Sequence, residues 1–235
     1  MRAASQQPLR CERATALLNF WFDGAGDDAD IRPGHPCYAR WFGAATEVDA
    51  VVRDSFAPDM HAARGGARAH WRSPLDALAL VLLLDQVPRH VYRGQAAAFA
   101  SDDAALALAH RCLAEGLDAE LSLVQGVFLL LPMQHAERWS DHAGVIERLE
   151  GALRRARHGG LAIAGFLAAA LRAEREHQAE LERFGRYPGR NAALGRVSTP
   201  TERDYLLARP AIHAHDAPAA SRTAAPTETR TAPLE

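Results

Sequence analysis

LVLLLDQVPRHVYRG, residues 80–94, is an apolar run that ends in a cluster of polar side chains. The run begins soon after Ser73 and Pro74, and serine followed by proline is a typical helix start. Because the intervening residues are apolar nearly all round, they predict a central helix rather than a surface helix. Pro88 predicts the end of that helix, and Val87 is expected to be extended or in a turn, since α geometry is disfavoured before proline.

The rest of the chain shows the same kind of pattern. Apolar residues recur at helical spacing, whereas alternating strand patterns are almost absent. Short connections favour antiparallel neighbours. The sequence therefore predicts an all-α fold, a single domain of about eight helices packed as antiparallel helical hairpins. The predicted helices cover residues 9–22, 47–60, 75–85, 102–115, 120–131, 141–157, 161–184 and 200–208, and Trp41 with Phe42 starts a further element.

Composition divides the chain into three parts. Residues 1–8 form an N-terminal arm, residues 9–209 the helical domain, and residues 210–235 a tail. The tail is rich in Ala, Thr and Pro and has no periodicity, so we predict that it is disordered. No regular repeat of about 34 residues, as in tetratricopeptide proteins, is evident within the domain.

Charge and composition exclude several classes of partner. The net charge is -2 and no recognised nucleic-acid-binding motif is present, so we expect no nucleic-acid partner. All 27 basic residues are arginine. The longest apolar run, residues 159–173, is shorter than the roughly 20 residues of a membrane span, so we expect no membrane association. Cys11, Cys37 and Cys112 form no CxxC pair; free thiols and a cytoplasmic location are expected. No feature assigns an oligomeric state.

The end of the central helix carries four candidate ligand-binding residues, namely Asp85, Gln86, Arg89 and His90. Asp85 and Arg89 are four residues apart, so they would form an ion pair if the helical turn continued. In a functional interpretation, Arg89 holds an anionic ligand and Asp85 orients it. In the alternative, the four side chains only bond the helix end to its loop.

A second set of candidates follows the helix that ends near Pro132. His135, Glu137 and His177 are the candidate catalytic residues, and such side chains can also bind zinc or iron. Their spacing lacks the helical i, i+4 histidine pair, so we assign no metal. His135 paired with Glu137 would serve as a general acid or base, because imidazole titrates near neutral pH. A hydrogen bond between helices is the favoured alternative.

A glycine-rich segment, FGRYPGRNAALGR at residues 184–196, carries the third set. Its polar side chains are Arg186, Arg190, Asn191 and Arg196. Arginine forks and backbone N–H groups in such a loop suit a phosphate or carboxylate. No nucleotide-binding glycine motif is present, and no cofactor is predicted. Alternatively, the segment is a connector that packs Phe184 and Tyr187 into the core.

The chain resembles an uncharacterised, mainly bacterial family, domain of unknown function 924 (DUF924). The matching pieces are NFWFDG (19–24), RWF (40–42), LLLDQVPRHVYRG (82–94), AFASDDAALALA (98–109), LLLPMQHAE (129–137) and RFGRYPGRNAALGRVSTPTE (183–202). They occur in order over most of residues 16–208. The resemblance implies an all-helical, tetratricopeptide-like fold, and it carries no established activity.

The chain departs from the family pattern at four positions. The family usually has asparagine at His90, serine at Ala136, arginine at Gln178 and histidine at Gly189. A chemistry common to the family would therefore not transfer automatically to this member.

Three functions are consistent with these residues. The first is a binding protein that holds a small anionic ligand or a peptide in a polar pocket. The second is an enzyme on a small anionic substrate, with His135 or His177 as acid or base and Asp85 or Glu137 as orienting carboxylate. In the third, all these side chains are structural. Convergence of Asp85, Arg89, His135, His177 and Arg190 on one pocket would favour the first two.

Overall fold

A computed structural model of the protein describes residues 11–43 and 46–208. Throughout these ranges the secondary structure is helical, without strands, which confirms the all-α prediction. The predicted arm and tail, and the first residues of the first predicted helix, lie outside the described residues. The helices are α1 (Glu12–Phe22), α2 (Pro36–Phe42), α3 (Thr46–Arg64), α4 (Pro74–Val81), α5 (Val87–Val91), α6 (Asp102–Ala114), α7 (Leu123–His135), α8 (Val145–His158), α9 (Ala164–Phe184) and α10 (Pro200–Ala208).

The central helix is longer than predicted. Residues 76–90 are all buried, and Leu82–Gln86 form a π-helical segment that joins α4 to α5 without a break. The prediction that Pro88 ends the helix was wrong, because Val87 has α geometry, with φ -55° and ψ -43°. In a π turn each N–H bonds five residues back, and the Val87 N–H accordingly donates to the Leu82 carbonyl.

Ser101 explains how Pro88 is tolerated inside this helix. Proline has no N–H, so the carbonyl four residues earlier, that of Leu84, loses its usual helical donor. The Ser101 hydroxyl donates to that carbonyl at 2.7 Å and accepts from Arg64 Nε at 3.1 Å. Ser101 is the N-cap residue of α6, but its side chain makes no capping bond because it is used here.

The other helix boundaries were predicted with mixed success. Ser73 caps α4, and Gly185 ends α9 in the left-handed conformation with φ 69°, both as predicted. Pro132, however, lies inside α7 and does not end it. That helix instead begins at a capping box between Ser122 and Gln125, since each side chain bonds to the other's backbone N–H.

An aromatic cluster joins α1, α2, α7 and α9, as expected for core packing. Trp41 and Trp21 are fully buried, and the Trp41 indole donates to the Trp21 carbonyl at 2.9 Å. The Trp41 ring lies 4.7 Å from Phe128 of α7 and 5.6 Å from Phe166 of α9, measured between ring centroids. The N-terminal halves of α7 and α9 therefore lie side by side.

The C-terminal ends of α7 and α9 are also linked, so the two helices run in the same direction. The Tyr187 hydroxyl, just beyond α9, donates to the Gln134 carbonyl near the end of α7 at 2.6 Å. Helix α8 connects the two and packs against both, so it returns antiparallel to each. A tetratricopeptide-like arrangement of the whole array stays a prediction. Within the described ranges, no helix has the length and apolar character that a bilayer crossing requires.

Candidate functional site

A pocket of about 290 Å³ lies between α7, α9 and the turn at Pro188–Arg190. Its lining includes five of the sequence-predicted candidates: Gln86, Arg89, His135, His177 and Arg190. The other lining residues are Tyr38, Phe42, Val127, Leu131, Gln134, Phe166, Ala169, Ala170, Arg172, Ala173, Glu176, Glu180, Tyr187 and Gly189. Of the five residues whose convergence would favour a functional pocket, four line this one, and the fifth, Asp85, contacts Arg89 and His135 behind the lining.

The pocket exists because one face of α9 carries alanines. Residues 166, 169, 170, 173, 177 and 180 recur at helical spacing and line the same side. Larger apolar residues at Ala169, Ala170 and Ala173 would fill the space against α7. Buried helix faces in proteins are normally close-packed, so this gap is a local exception.

Arg89 and Asp85 form the predicted ion pair, 3.2 Å apart, and both are buried. The Arg89 guanidinium also donates to the Asp85 carbonyl and, through two nitrogens at 3.0 Å each, to the carboxylate of Asp102. Asp102 was expected only as a helix-start residue. Two acidic side chains thus neutralise Arg89, which orients the guanidinium firmly.

Asp85 also positions His135. The Asp85 carboxylate lies 2.8 Å from His135 Nδ1 and accepts a hydrogen bond from Gln86 Nε2 at 2.5 Å. Burial raises the pKa of Asp85, but the positive Arg89 and the bonds from His135 and Gln86 outweigh burial and bring the pKa below its ordinary value. The ionised carboxylate therefore fixes one nitrogen of His135, and the ring lines the pocket.

Arg190 is a buried cation at the pocket with one donor that lacks a partner. Its guanidinium stacks on Phe99 and Tyr187, with centroid distances of 4.9 and 4.8 Å, and only 6% of the side chain is exposed. The nearest carboxylate oxygen, on Asp102, is 3.5 Å away, and Arg190 Nε has no hydrogen-bond partner. Gln134 Nε2 is likewise buried without a partner. Such orphan donors are uncommon in folded proteins and call for an explanation.

His90 lies apart from the pocket, although it is adjacent to Arg89 in sequence. Its Nδ1 is 2.8 Å from Asp49 of α3, which also accepts two bonds from Arg93. Burial raises the pKa of Asp49, but these bonds outweigh it and lower the pKa to about 2. Burial lowers the pKa of His90. This group ties α5 to α3.

Glu137 contacts a different partner from the one expected. Its carboxylate accepts two bonds from Arg196, at 2.6 and 2.9 Å, and one from the Tyr187 N–H at 2.9 Å. Burial raises the pKa of Glu137, but these donors outweigh it and lower the pKa. The structure therefore gives Asp85, and not Glu137, as the carboxylate beside His135.

Arg186 and Asn191 bond to residues at or just before the start of α10. Arg186 donates to both oxygens of Glu202, at 2.7 and 2.9 Å, and Asn191 bonds to the Ser198 hydroxyl at 3.0 Å. The pairing with Arg186 lowers the pKa of Glu202 to about 2. Neither residue lines the pocket, so the 184–196 segment contributes chiefly Arg190 and Tyr187.

Sequence reasoning missed a buried pair beside the pocket. His142 Nδ1 is 2.9 Å from Glu174, and its Nε2 is 2.9 Å from the Ala136 carbonyl. Burial lowers the pKa of His142, but bonds to these two acceptors outweigh it and raise the pKa. Gln134 was also missed, although a glutamine inside the apolar run LLLPMQ was a usable signal, since a buried amide needs partners.

Metal binding has no support from this geometry. In residues 11–43 and 46–208 no group of three or more metal-ligating side chains is placed to hold an ion. His135 and Glu137 contact other side chains, and the His177 ring packs edge-on against Tyr187 at 5.4 Å.

Comparisons with known proteins give a family without an activity. Residues 17–209 match the model of a family described as "Bacterial protein of unknown function (DUF924)". A similar solved structure is ATU0120, a protein of unknown function from Agrobacterium tumefaciens. The two chains are 31% identical, with a TM-score of 0.62 over 82% of this chain and 96% of that one. No curated protein matches.

Proposed function

We propose a function from the pocket itself, because the chain belongs to the DUF924 family of bacterial proteins, and the description of that family states no activity. The protein binds a small anionic ligand, or the carboxylate of a peptide terminus, between α7 and α9. Arg190 supports this proposal best, since it is a buried guanidinium that lines the pocket and retains an N–H without a partner. A carboxylate or phosphate oxygen is the usual acceptor for such a donor.

Thermal-shift and calorimetric titrations with acetate and inorganic phosphate test this proposal. At a concentration of 100 Kd, a ligand stabilises the folded protein by about 2.7 kcal/mol. We expect such stabilisation in the wild type and its loss in Arg190→Met, which keeps an apolar chain between the two rings. Arg183→Met is the matched control, because Arg183 also stacks on two rings, Phe184 and Tyr205, outside the pocket.

Two results would overturn the binding proposal. One is that no anion, carboxylates with longer chains included, stabilises the wild type. The other is that folded Arg190→Met binds as well as Arg183→Met. If Arg190→Met does not fold, Gln134→Met removes the second orphan donor with little change of volume and replaces it in the test.

The second candidate function is acid–base catalysis in the same pocket. The observation that favours it is the 2.8 Å contact between buried Asp85 and His135, since a carboxylate that orients one imidazole nitrogen prepares the other for proton transfer. Nitrophenyl phosphate and nitrophenyl esters of short acids are suitable probes. His135→Asn should lower any rate by about 10²–10⁴-fold, whereas His70→Asn, outside the pocket, should not. Equal rates in both variants would contradict catalysis by His135.

We also propose a cytoplasmic location, on the basis of the cysteines. Cys11, Cys37 and Cys112 are all free thiols, which supports a cytoplasmic protein.

If no ligand and no turnover are found, the third interpretation remains, in which the polar cluster only holds the helices together.

A further inference from the structure

We propose that the ligand is an amphipathic monoanion, namely a carboxylate with an unbranched hydrocarbon chain. This inference rests on the proposed binding function and deepens it. The carboxylate lies at the Arg190 end of the pocket, and the chain extends between α7 and α9 towards Phe42 and Phe166.

The pocket has two chemically different ends. Because α7 and α9 run in the same direction, their lining residues change character together. On α7, Val127 and Leu131 precede Gln134 and His135, a span of about 12 Å at 1.5 Å per residue. On α9, the lining starts with Phe166 and alanines and finishes with polar side chains. An occupant of the whole pocket therefore has an apolar part and a polar part.

The apolar end favours hydrocarbon over water. Its walls are Phe42, Phe166, Val127 and Leu131, together with the alanines of α9. A buried water needs two to four polar partners, and these side chains offer almost none. A chain of methylene groups would fill the volume that the small alanine side chains leave.

Charge balance at the other end favours a single negative charge. Arg89 is neutralised by Asp85 and Asp102, and its donors to these two residues are already in use. Arg190 therefore supplies the charge and the N–H for a ligand, while Glu176 and Glu180 also line the pocket. One carboxylate matches one arginine, whereas a multiply charged phosphate would be repelled more strongly by the glutamates.

Calorimetry of the full chain with a series of saturated carboxylates tests the inference. The series runs from acetate through butanoate, hexanoate and octanoate to decanoate, at constant ionic strength, with inorganic phosphate and an apolar tripeptide as further arms. Burying one methylene contributes about 0.8 kcal/mol, so the affinity should increase about fourfold per methylene until the pocket is full.

A variant that fills the apolar end makes the test specific. Ala170→Leu, on the lining face, should weaken octanoate binding at least tenfold and leave acetate binding unchanged. Ala179→Leu is the control on the same helix, because Ala179 is exposed and outside the pocket. Circular dichroism and melting of each unliganded variant establish that both are folded.

The outcomes separate the two proposals. Acetate binding without a gain from longer chains overturns the amphipathic ligand and leaves the proposed function intact. Preference for phosphate or the tripeptide also overturns the amphipathic ligand alone. Equal loss of octanoate affinity in both leucine variants would show that the hydrocarbon chain does not lie at the apolar end, and it would overturn the amphipathic ligand. If no anion and no peptide binds, both proposals fail.

Discussion

Asp85 has no exposed surface, and it is stable as a carboxylate only because its neighbours are donors. Arg89, His135 and Gln86 surround it, and their effect on its pKa exceeds that of burial. Asp85→Asn would leave Arg89 and His135 without this charge. Removing one partner of a buried pair costs about 3–5 kcal/mol, so the melting temperature should fall by about 6–20 °C.

The lowered pKa of Asp85 also predicts the direction in which stability changes with pH. Since the folded pKa of Asp85 is below its ordinary value of 3.8, its stabilisation is present above that pH and is lost as the pH falls through the folded pKa. Melting curves below pH 4 should therefore decline more steeply for the wild type than for Asp85→Asn. Asp28→Asn, at an exposed site, is expected to follow the wild type. Parallel curves for the wild type and Asp85→Asn would contradict the assignment.

For the buried His142 we expect the opposite dependence of stability on pH. Both ring nitrogens face acceptors, the Glu174 carboxylate and the Ala136 carbonyl, so the imidazolium satisfies both. Its pKa is raised above 6.5; its stabilisation is full below that pH and is lost as the pH rises through the folded pKa. The stability difference between the wild type and His142→Gln should therefore shrink as the pH rises. His158→Gln, at an exposed site, is the control, and a difference that grows with pH would refute the pairing.

At the scale of the elements, the π-helical segment depends on Ser101, the residue just before α6. If the Ser101 hydroxyl replaces the N–H that Pro88 lacks, Ser101→Ala leaves the buried Leu84 carbonyl without a donor, at a cost of about 1–3 kcal/mol. Pro88→Ala restores a backbone N–H, so Ser101→Ala should cost less than half as much in that background. Chemical denaturation of the four proteins in the cycle measures the coupling. Strictly additive costs would show that the two residues act independently.

Helix starts and ends were predicted correctly where a local sequence pattern marks them. The serine cap of α4, the glycine after α9 and the Thr199–Glu202 start of α10 are all present. Sequence reasoning did not anticipate Pro88 and Pro132 within helices, because the cost of proline depends on what replaces the lost hydrogen bond. At Pro88 the replacement comes from Ser101, thirteen residues further along the chain, and no local pattern reports that.

At the scale of the whole molecule, the pocket depends on distant segments coming together. The residue types at Arg89, His135 and Arg190 could be selected from the sequence, but their meeting depends on the parallel course of α7 and α9. His90 and Arg186 looked equally suitable, and the fold directs them to Asp49 and Glu202 instead. Asp102, which contacts Arg89 and Arg190, was indistinguishable from an ordinary helix-start acid.

Glu137 anchors the segment that carries Arg190. Through Arg196 and the Tyr187 N–H it holds the 185–199 segment that carries Arg190. Glu137→Ala should accelerate amide hydrogen exchange in that segment, with little change in α1 or α4, and weaken anion binding. Glu147→Ala, at an exposed site of α8, is the matched control. Uniformly faster exchange across all helices would contradict a local anchoring role.

The π-helical segment also has a bearing on how this pocket could be gained or lost. A π turn holds one residue more than the α turn it replaces. If Leu82–Gln86 took α geometry with every residue retained, everything beyond would rotate by about 100° about the helix axis relative to α4. Arg89 would then leave the pocket wall while the helix remained apolar and buried. Deletion of a single leucine from Leu82–Leu84 would instead remove the π turn and its extra residue together, so Arg89 would keep its direction towards the pocket.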